Sequence, residues 1–163
     1  MSSWQNHSSD ERIAMIQTVG QDHNIEDNAV EKDWWVTVVL KALFNTSCGK
    51  WLLFKGGTSL SKGWNLINRF SEDIDISIGR NFFEDVLNLP FAKCENNNQV
   101  KKLRKASRDY IHGTLSAELD AELLKMGVKG YTIMNETVTG EPPRPIDHDS
   151  DPNIIFVNYE SIL

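Results

Sequence analysis

The short motif Gly56, Gly57, Thr58 and Ser59 has the residue types of a phosphate-binding turn. Two adjacent glycines let the backbone approach an anion closely, because no Cβ stands in the way. We expect Thr58 or Ser59 to cap a helix that begins here. The first turn of that helix offers free N–H groups and the positive end of the helix dipole to the anion. The Ser59 hydroxyl adds a further hydrogen-bond donor.

Two aspartates follow in the segment 72–78, where isoleucines alternate strictly with polar residues. This alternation predicts a half-buried strand that carries Asp73 and Asp75 on its polar face, roughly 6.7 Å apart along the chain. Two carboxylates so placed can bind hard divalent cations through oxygen. Phosphates at the glycines and one or two Mg²⁺ ions at the aspartates are together typical of metal-assisted nucleotidyl transfer, in which the metal neutralises a leaving pyrophosphate.

Hydrophobic periodicity predicts the elements that position these motifs. The apolar run 51–54 fits a buried strand, and the spacing of Leu60, Trp64 and Ile67 predicts an apolar helix face after the glycines. The other elements are a helix that opens with a capping pattern at 8–11, a helix at about 26–44, a short helix or turn at 81–89, a long helix at about 99–126, strands at about 130–138 and 154–159, and a loop at 140–152. This order predicts one α+β (mixed α/β) domain over residues 1–163, with a small mixed sheet flanked by helices.

The composition is that of one soluble globular domain, with 163 residues, 40% hydrophobic and 25% charged content and a net charge of −6. The acidic balance argues against a protein that coats nucleic acid by bulk charge. No run approaches the roughly 18 apolar residues of a membrane span, and no signal peptide is evident. Cys48 and Cys94 lack CxxC spacing, which predicts free thiols in a reducing cytoplasm.

Each motif also has a purely structural interpretation. The glycines by themselves fit an ordinary strand-to-helix turn, and the aspartates fit the solvated face of an edge strand. Asp73 could open a calcium-binding loop, but Gly79 comes one place too late for that loop and the alternation requires a strand. The combination of both motifs, one helix apart, favours the functional interpretation.

A basic cluster on the long helix leaves two interpretations open. The cluster comprises Lys101, Lys102, Arg104, Lys105 and Arg108. Such a run is usually a solvated helix face. Its functional interpretation is a patch that faces acceptor RNA or triphosphate, as the one strongly attractive surface of an otherwise acidic chain. For Trp34, Trp35 and Trp64 we expect packing in the core rather than stacking on bases.

The glycine and aspartate motifs together resemble a known family. Residues 54–62, Phe-Lys-Gly-Gly-Thr-Ser-Leu-Ser-Lys, and residues 69–75, Arg-Phe-Ser-Glu-Asp-Ile-Asp, are similar to the abortive-infection nucleotidyltransferase toxins of bacterial toxin–antitoxin systems, the AbiEii/AbiGii type. Residues 31–35, Glu-Lys-Asp-Trp-Trp, resemble the first core helix of that family. The resemblance is strong over about 26–80 and weak elsewhere.

The resemblance implies a fold, an activity and residue roles. It implies a polymerase-β-like nucleotidyltransferase fold, Mg²⁺, a nucleoside triphosphate donor, an acceptor that is often RNA such as tRNA, a cognate antitoxin and a part in phage defence. It implies phosphate contacts at Gly57 and Ser59, a weaker one at Lys62, and catalytic metal ligation at Asp73 and Asp75, within a nucleotide-binding segment that includes Gly56 and Thr58.

One feature that the resemblance implies falls outside this chain. Polymerase-β-like transferases use a third carboxylate on a neighbouring strand, which in this family follows a segment like 154–159. The sequence stops at Leu163, before that carboxylate and before the family's C-terminal helical domain, which predicts an N-terminal portion of a longer family chain. Substitutes in principle, with no spacing to support them, are Glu160, Asp147, Asp149 and Asp151. Two alternatives stay open: a catalytically incomplete module that binds nucleotide or a partner protein without turnover, and a degenerate remnant with neither activity.

Overall fold

The computed structural model of the protein describes residues 4–64, 73–135, 138–139, 141–142, 144–145, 147 and 153–163. The helices are α1 (Ser9–His23), α2 (Asp27–Phe44), α3 (Gly56–Thr58), α4 (Asn97–Tyr110) and α5 (Ser116–Lys125). The strands are β1 (Leu52–Lys55), β2 (Asp75–Ile78), β3 (Tyr131–Asn135), β4 (Val138–Thr139), β5 (Arg144–Pro145) and β6 (Ile155–Tyr159). Short π-helical turns cover Ser59–Gly63, Phe82–Val86 and Ile111–Leu115, and 3-10 turns cover Trp4–Asn6, Gly49–Trp51 and Pro90–Lys93.

This mixture of elements confirms the α+β class. The strands of the described residues pair in three antiparallel ladders of two strands each, β1 with β2, β3 with β6 and β4 with β5, rather than in one mixed sheet. An isolated pair of strands is only marginally stable in water, so the β1–β2 and β3–β6 ladders depend on the core, against which Ile76 and Ile133 pack. The predicted strand at 130–138 ends at Asn135, and part of the predicted loop 140–152 forms β5 against β4.

The helices follow their sequence signals closely. Ser8 and Glu11 form the predicted capping box at the start of α1, and the backbone N–H of Ser8 donates to the Glu11 carboxylate at 2.8 Å. These hydrogen bonds from Ser8 lower the pKa of Glu11, because they favour its charged form. The long helix predicted at 99–126 is α4 and α5, joined by the π-helical turn Ile111–Leu115. None of the helices within the described ranges is long and apolar enough to cross a membrane.

The core is built around α2 and α5. Its buried side chains include Trp35, Val38, Val39, Ala42 and Leu43 from α2, Leu119 and Leu123 from α5, Leu52 from β1, and Phe82 and Phe83 from the turn after β2. Fully burying one such side chain is worth about 1.5–3 kcal/mol. The core therefore fixes α2 and β1, the two elements on which the candidate site is built.

Two aromatic predictions have opposite outcomes. Trp35 is buried as predicted, and its ring stacks on that of Tyr159 with 4.6 Å between centroids. The predicted burial of Trp64 is wrong, because Trp64 is 71% exposed and its neighbour in the repeat, Leu60, is 42% exposed. Periodicity indicates which side chains share a helix face, but it does not say whether another element covers that face. Ile67, the third member of the repeat, lies outside the described residues.

Candidate functional site

The β1–β2 ladder brings the glycine motif and the acidic segment together. Lys55, the last residue of β1, pairs with Asp75, the first residue of β2. Leu52 is buried and Ile76 packs against the core, whereas Asp75 is exposed. The alternation of β2 thus has its predicted cause, with isoleucines toward the core and the polar face away from it. Because β1 leads directly into Gly56, the start of β2 lies beside the glycines.

Gly56 and the Asp75 side chain lie in direct contact. Gly56 has a φ of +71°, in the left-handed region that favours glycine. A Cβ on Gly56 would lie 2.9 Å from Cγ of Asp75 and would overlap its Oδ2 atom. The first glycine therefore serves two purposes, since it allows the sharp turn out of β1 and leaves room for the carboxylate.

The second glycine borders open space. A Cβ added to Gly57 would meet no heavy atom within 4 Å. The first residues of a helix carry backbone N–H groups without partners inside the helix, so the backbone here can donate to an anion. Ser59 is only 6% exposed, which leaves its hydroxyl mostly beneath the surface. Of these two predicted phosphate contacts, Gly57 is the more accessible.

Thr58 has a structural role that the sequence did not indicate. It is 1% exposed, and its hydroxyl donates to the carbonyl oxygen of Asp73 at 2.6 Å. The prediction that Thr58 or Ser59 caps the helix is wrong, because α3 begins at Gly56, with Lys55 as its N-cap residue. Glycine lets the chain turn into the helix directly after β1, which places Thr58 inside the first turn. Its hydroxyl holds that turn against the acidic segment.

Lys62 is held on the α2 side of the site. Its Nζ atom lies 2.5 Å from Oδ1 of Asp33 and donates to Oγ1 of Thr37 at 3.0 Å. Asp33 and Thr37 are four residues apart and share one face of α2. The side chains of Lys62 and Asp33 are 25% and 47% exposed, so the ion pair is worth less than about 1 kcal/mol. Sequence reasoning missed Asp33 and Thr37, and their i, i+4 spacing on α2 is the only signal that could have paired them.

Asp73 and Asp75 are the carboxylates that could hold a divalent cation. Both residues are exposed, and β2 begins at Asp75, so Asp73 lies just before the strand rather than within it. Mg²⁺ is usually bound by one or two carboxylates together with waters and substrate phosphates. Two aspartates beside an open backbone turn fit that donor set. Within the part of the chain that the structure describes, no three His, Cys, Asp or Glu side chains converge as a metal site made by protein alone.

Glu160 and the glycine motif lie on opposite sides of α2. The buried Glu31 carboxylate accepts hydrogen bonds from Oγ of Ser161 at 2.6 Å and from the next backbone N–H at 3.1 Å. Glu31 and Asp33 project about 160° apart around α2, at about 100° per residue. The segment after β6 therefore contacts one side of α2, and Lys62, which follows α3, contacts the opposite side. Glu160 thus does not complete the site. Residues 69–72, Asp149 and Asp151 lie outside the described residues.

A comparison with models of known protein families found a match to this chain. A family model described as nucleotidyl transferase AbiEii toxin, type IV TA system, matches residues 39–161. The match includes the glycine motif, both aspartates and β6, whereas residues 31–35 precede it. Comparisons with curated proteins and with solved structures found no match. Because the family model matches well over half of the sequence, the chain belongs to the AbiEii family of nucleotidyl transferase toxins of type IV toxin–antitoxin systems.

Proposed function

We propose that this protein is a Mg²⁺-dependent nucleotidyltransferase that transfers a nucleotide from a nucleoside triphosphate to an acceptor RNA. The contact between Gly56 and the Asp75 carboxylate carries the proposal, because it brings the predicted phosphate-binding turn next to a predicted metal ligand. Membership of a toxin family supports the transferase class and a cognate antitoxin as partner. Action in the cytoplasm and a part in phage defence belong to the same proposal.

The residues of the chain bind and orient the donor. The open backbone at Gly57 receives the triphosphate, with N–H groups of the first helical turn as donors. Once it is released from Asp33, Lys62 adds a positive charge about one to two helical turns after Gly57. Thr58 keeps the turn and the acidic segment at a fixed separation through its bond to Asp73, so that the two halves of the site do not have to be assembled when the donor binds.

Asp73 and Asp75 would hold the cation between the turn and the strand. When bound, the cation would neutralise charge that develops on the phosphates. In the transfer, a hydroxyl oxygen of the acceptor forms a bond to the α-phosphorus, the bond from that phosphorus to the bridging oxygen breaks, pyrophosphate leaves, and the hydroxyl proton passes to water. Asp75 is exposed, which leaves its carboxylate accessible to both the ion and the donor.

Transfer of label from an α-phosphate-labelled triphosphate to RNA tests this function. We expect the protein to label total RNA in the presence of Mg²⁺, and Asp75→Ala and Asp73→Ala to reduce the labelling to background. Ser77→Ala is the matched control, since Ser77 lies on the same face of β2 two residues beyond Asp75 and should leave labelling unchanged. Full labelling by either aspartate variant would remove the carboxylates from the mechanism.

A second function is favoured by one observation, which is that the described residues bring together only two carboxylates at the turn. On this proposal, the chain binds a nucleotide or a partner protein without turnover. Calorimetry with Mg²⁺ and each triphosphate, beside the labelling assay, separates the two functions. Binding without labelling favours the non-catalytic module, and labelling favours the transferase. Absence of both would favour a remnant with neither activity.

A further inference from the structure

The basic cluster of the long helix forms a coherent exposed surface. Lys101, Lys102, Arg104 and Lys105 are all exposed on α4, and we call these four residues the basic face of α4. Arg108 differs from them, because its side chain is only 16% exposed and its Nε atom lies 3.9 Å from the Asp109 carboxylate. The functional interpretation of the cluster therefore rests on the four exposed residues.

Helix geometry gathers these four cations on one side. At about 100° per residue they span an arc of about 160°. Tyr110, which is buried, and Leu103, which packs against the core, lie on the opposite side of α4. The core thus fixes which way the helix faces, and the cations point away from it. Along the axis, 101–105 covers about 6 Å, at about 1.5 Å per residue.

The basic face includes like charges at a spacing that brings them together on the helix surface. Lys101 and Lys105 are four residues apart, and like charges at this spacing destabilise a helix by about 0.2–0.5 kcal/mol per pair. Asp109 is the one Asp or Glu within α4, and it follows Lys105 by four residues, so a single acid offsets only part of this repulsion. The whole chain carries a net charge of −6, so this concentration of positive charge is opposite in sign to the net charge of the chain. The excess of exposed cations on this helix, in a chain of opposite net charge, favours an external anionic partner.

The chemistry of the face identifies the class of partner. None of the large apolar side chains found exposed in the described residues lies on α4. A membrane-binding helix needs an apolar face to insert, and a protein interface usually has aromatic or apolar anchors at its centre. Closely spaced cations without apolar neighbours instead match a chain of phosphates, which nucleic-acid-binding proteins contact mainly through Lys and Arg.

We infer that the basic face of α4 binds the phosphate backbone of the acceptor RNA. The inference rests on the proposed function, because it assigns a surface to the acceptor of that reaction. It concerns binding alone, so RNA should bind in the absence of both Mg²⁺ and triphosphate. Recognition is of the backbone and is therefore independent of RNA sequence.

Fluorescence anisotropy with a labelled single-stranded RNA oligonucleotide, without Mg²⁺ or triphosphate, tests the inference. The variant replaces Lys101, Lys102 and Lys105 together with glutamine, which forms helices nearly as well as lysine. Loss of three contacts should flatten the slope of log K against log salt by about 2, at about 0.7 per contact for single strands. At about 0.1 M salt the same relation predicts binding weaker by about 100-fold.

The matched control replaces Lys41, Lys50 and Lys129 with glutamine. All three are exposed and lie outside α4, so this variant has the same net charge as the test variant. Near-normal RNA binding by the control, with the large loss in the test variant, supports the inference. Equal losses in both variants, no RNA binding by the unaltered protein at low salt, or binding to phosphatidylserine vesicles but not to RNA would each overturn it.

A further variant separates this inference from the proposed function. Asp75→Ala should bind RNA as tightly as the unaltered protein while it fails to label RNA. If the unaltered protein itself transfers no label, the transferase proposal fails, and the anisotropy comparison still decides whether α4 binds RNA. If labelling occurs and the test variant binds RNA normally, the α4 assignment fails and the transferase proposal stands.

Discussion

Replacement of Gly56 with alanine tests the contact between the two motifs at a single atom. The variant requires an L side chain at a φ of +71°. The new Cβ would also lie 2.9 Å from Cγ and 3.1 Å from Cβ of Asp75. Optimal contacts between carbon atoms are about 3.5–4.0 Å, so the Asp75 side chain must rotate away.

Two separate costs contribute to the expected loss of stability. The left-handed conformation costs an L residue about 1–2 kcal/mol. Displacing the Asp75 side chain from its rotamer costs about 0.5–1.5 kcal/mol. Because Asp75 is exposed, its carboxylate can move into water, and the remaining 3.1 Å contact with its Cβ needs only a small shift of the strand. We therefore expect Gly56→Ala to lower the free energy of unfolding by about 1.5–3.5 kcal/mol.

Urea denaturation followed by circular dichroism measures this loss. Gly57→Ala is the control, because an added Cβ there meets only open space and alanine is about 1 kcal/mol better than glycine inside a helix. In an Asp75→Ala background the rotamer cost disappears, so Gly56→Ala should cost about 0.5–1.5 kcal/mol less than in the unaltered protein. A Gly56→Ala protein of normal stability, or one that loses the same amount in both backgrounds, would refute the contact between turn and strand.

Three further predictions concern the residues around the site and the core. Thr58→Val should lower the free energy of unfolding by about 0.5–1.5 kcal/mol, because it removes the part-buried hydrogen bond to the carbonyl of Asp73; Thr58→Ser keeps the hydroxyl, and equal urea midpoints for the two variants would contradict a role for this hydrogen bond. Lys62→Gln should weaken triphosphate binding in calorimetry. Asp33→Asn frees the lysine and should leave that binding normal or stronger. Equal weakening by both variants would mean that Lys62 serves only to hold its own segment against α2. Burial raises the pKa of the Tyr131 hydroxyl, so the folded state retains a proton that the unfolded state loses above about pH 10, and stability should fall as the pH rises past that value. Tyr131→Phe should reduce this fall in urea titrations, and an unchanged pH dependence would count against it.

Local signals in the sequence are sufficient for most of the helices and for the polarity of β2. The isoleucines of β2 face the core because strict alternation has only one burial pattern that hides them. The bounds of α2 and the capping box at Ser8 follow from periodicity and cap chemistry within a single helix. The resemblance of the glycine and aspartate motifs to a known family predicts the class of protein, and the match over residues 39–161 confirms that class.

The interactions that assemble the site depend on pairs far apart in the chain. Thr58 reaches a carbonyl 15 residues away, and Lys62 reaches Thr37 across 25 residues. No periodicity encodes such contacts, because they depend on the register of the β1–β2 ladder and on how α2 lies against the segment that contains Thr58 and Lys62. The exposure of Trp64 has the same origin. A helix face is apolar by sequence, but its burial depends on what the rest of the chain places over it.

Mg²⁺-dependent triphosphate binding tests the central claim that the glycine turn and the acidic segment form one site. Calorimetry with a non-hydrolysable triphosphate should show binding in Mg²⁺ that weakens by about tenfold or more, about 1.4 kcal/mol, when EDTA removes the ion. Asp75→Asn should lose this dependence on Mg²⁺, while Ser77→Ala keeps it. Triphosphate binding of equal strength with and without Mg²⁺, or a normal Mg²⁺ dependence in Asp75→Asn, would contradict the claim.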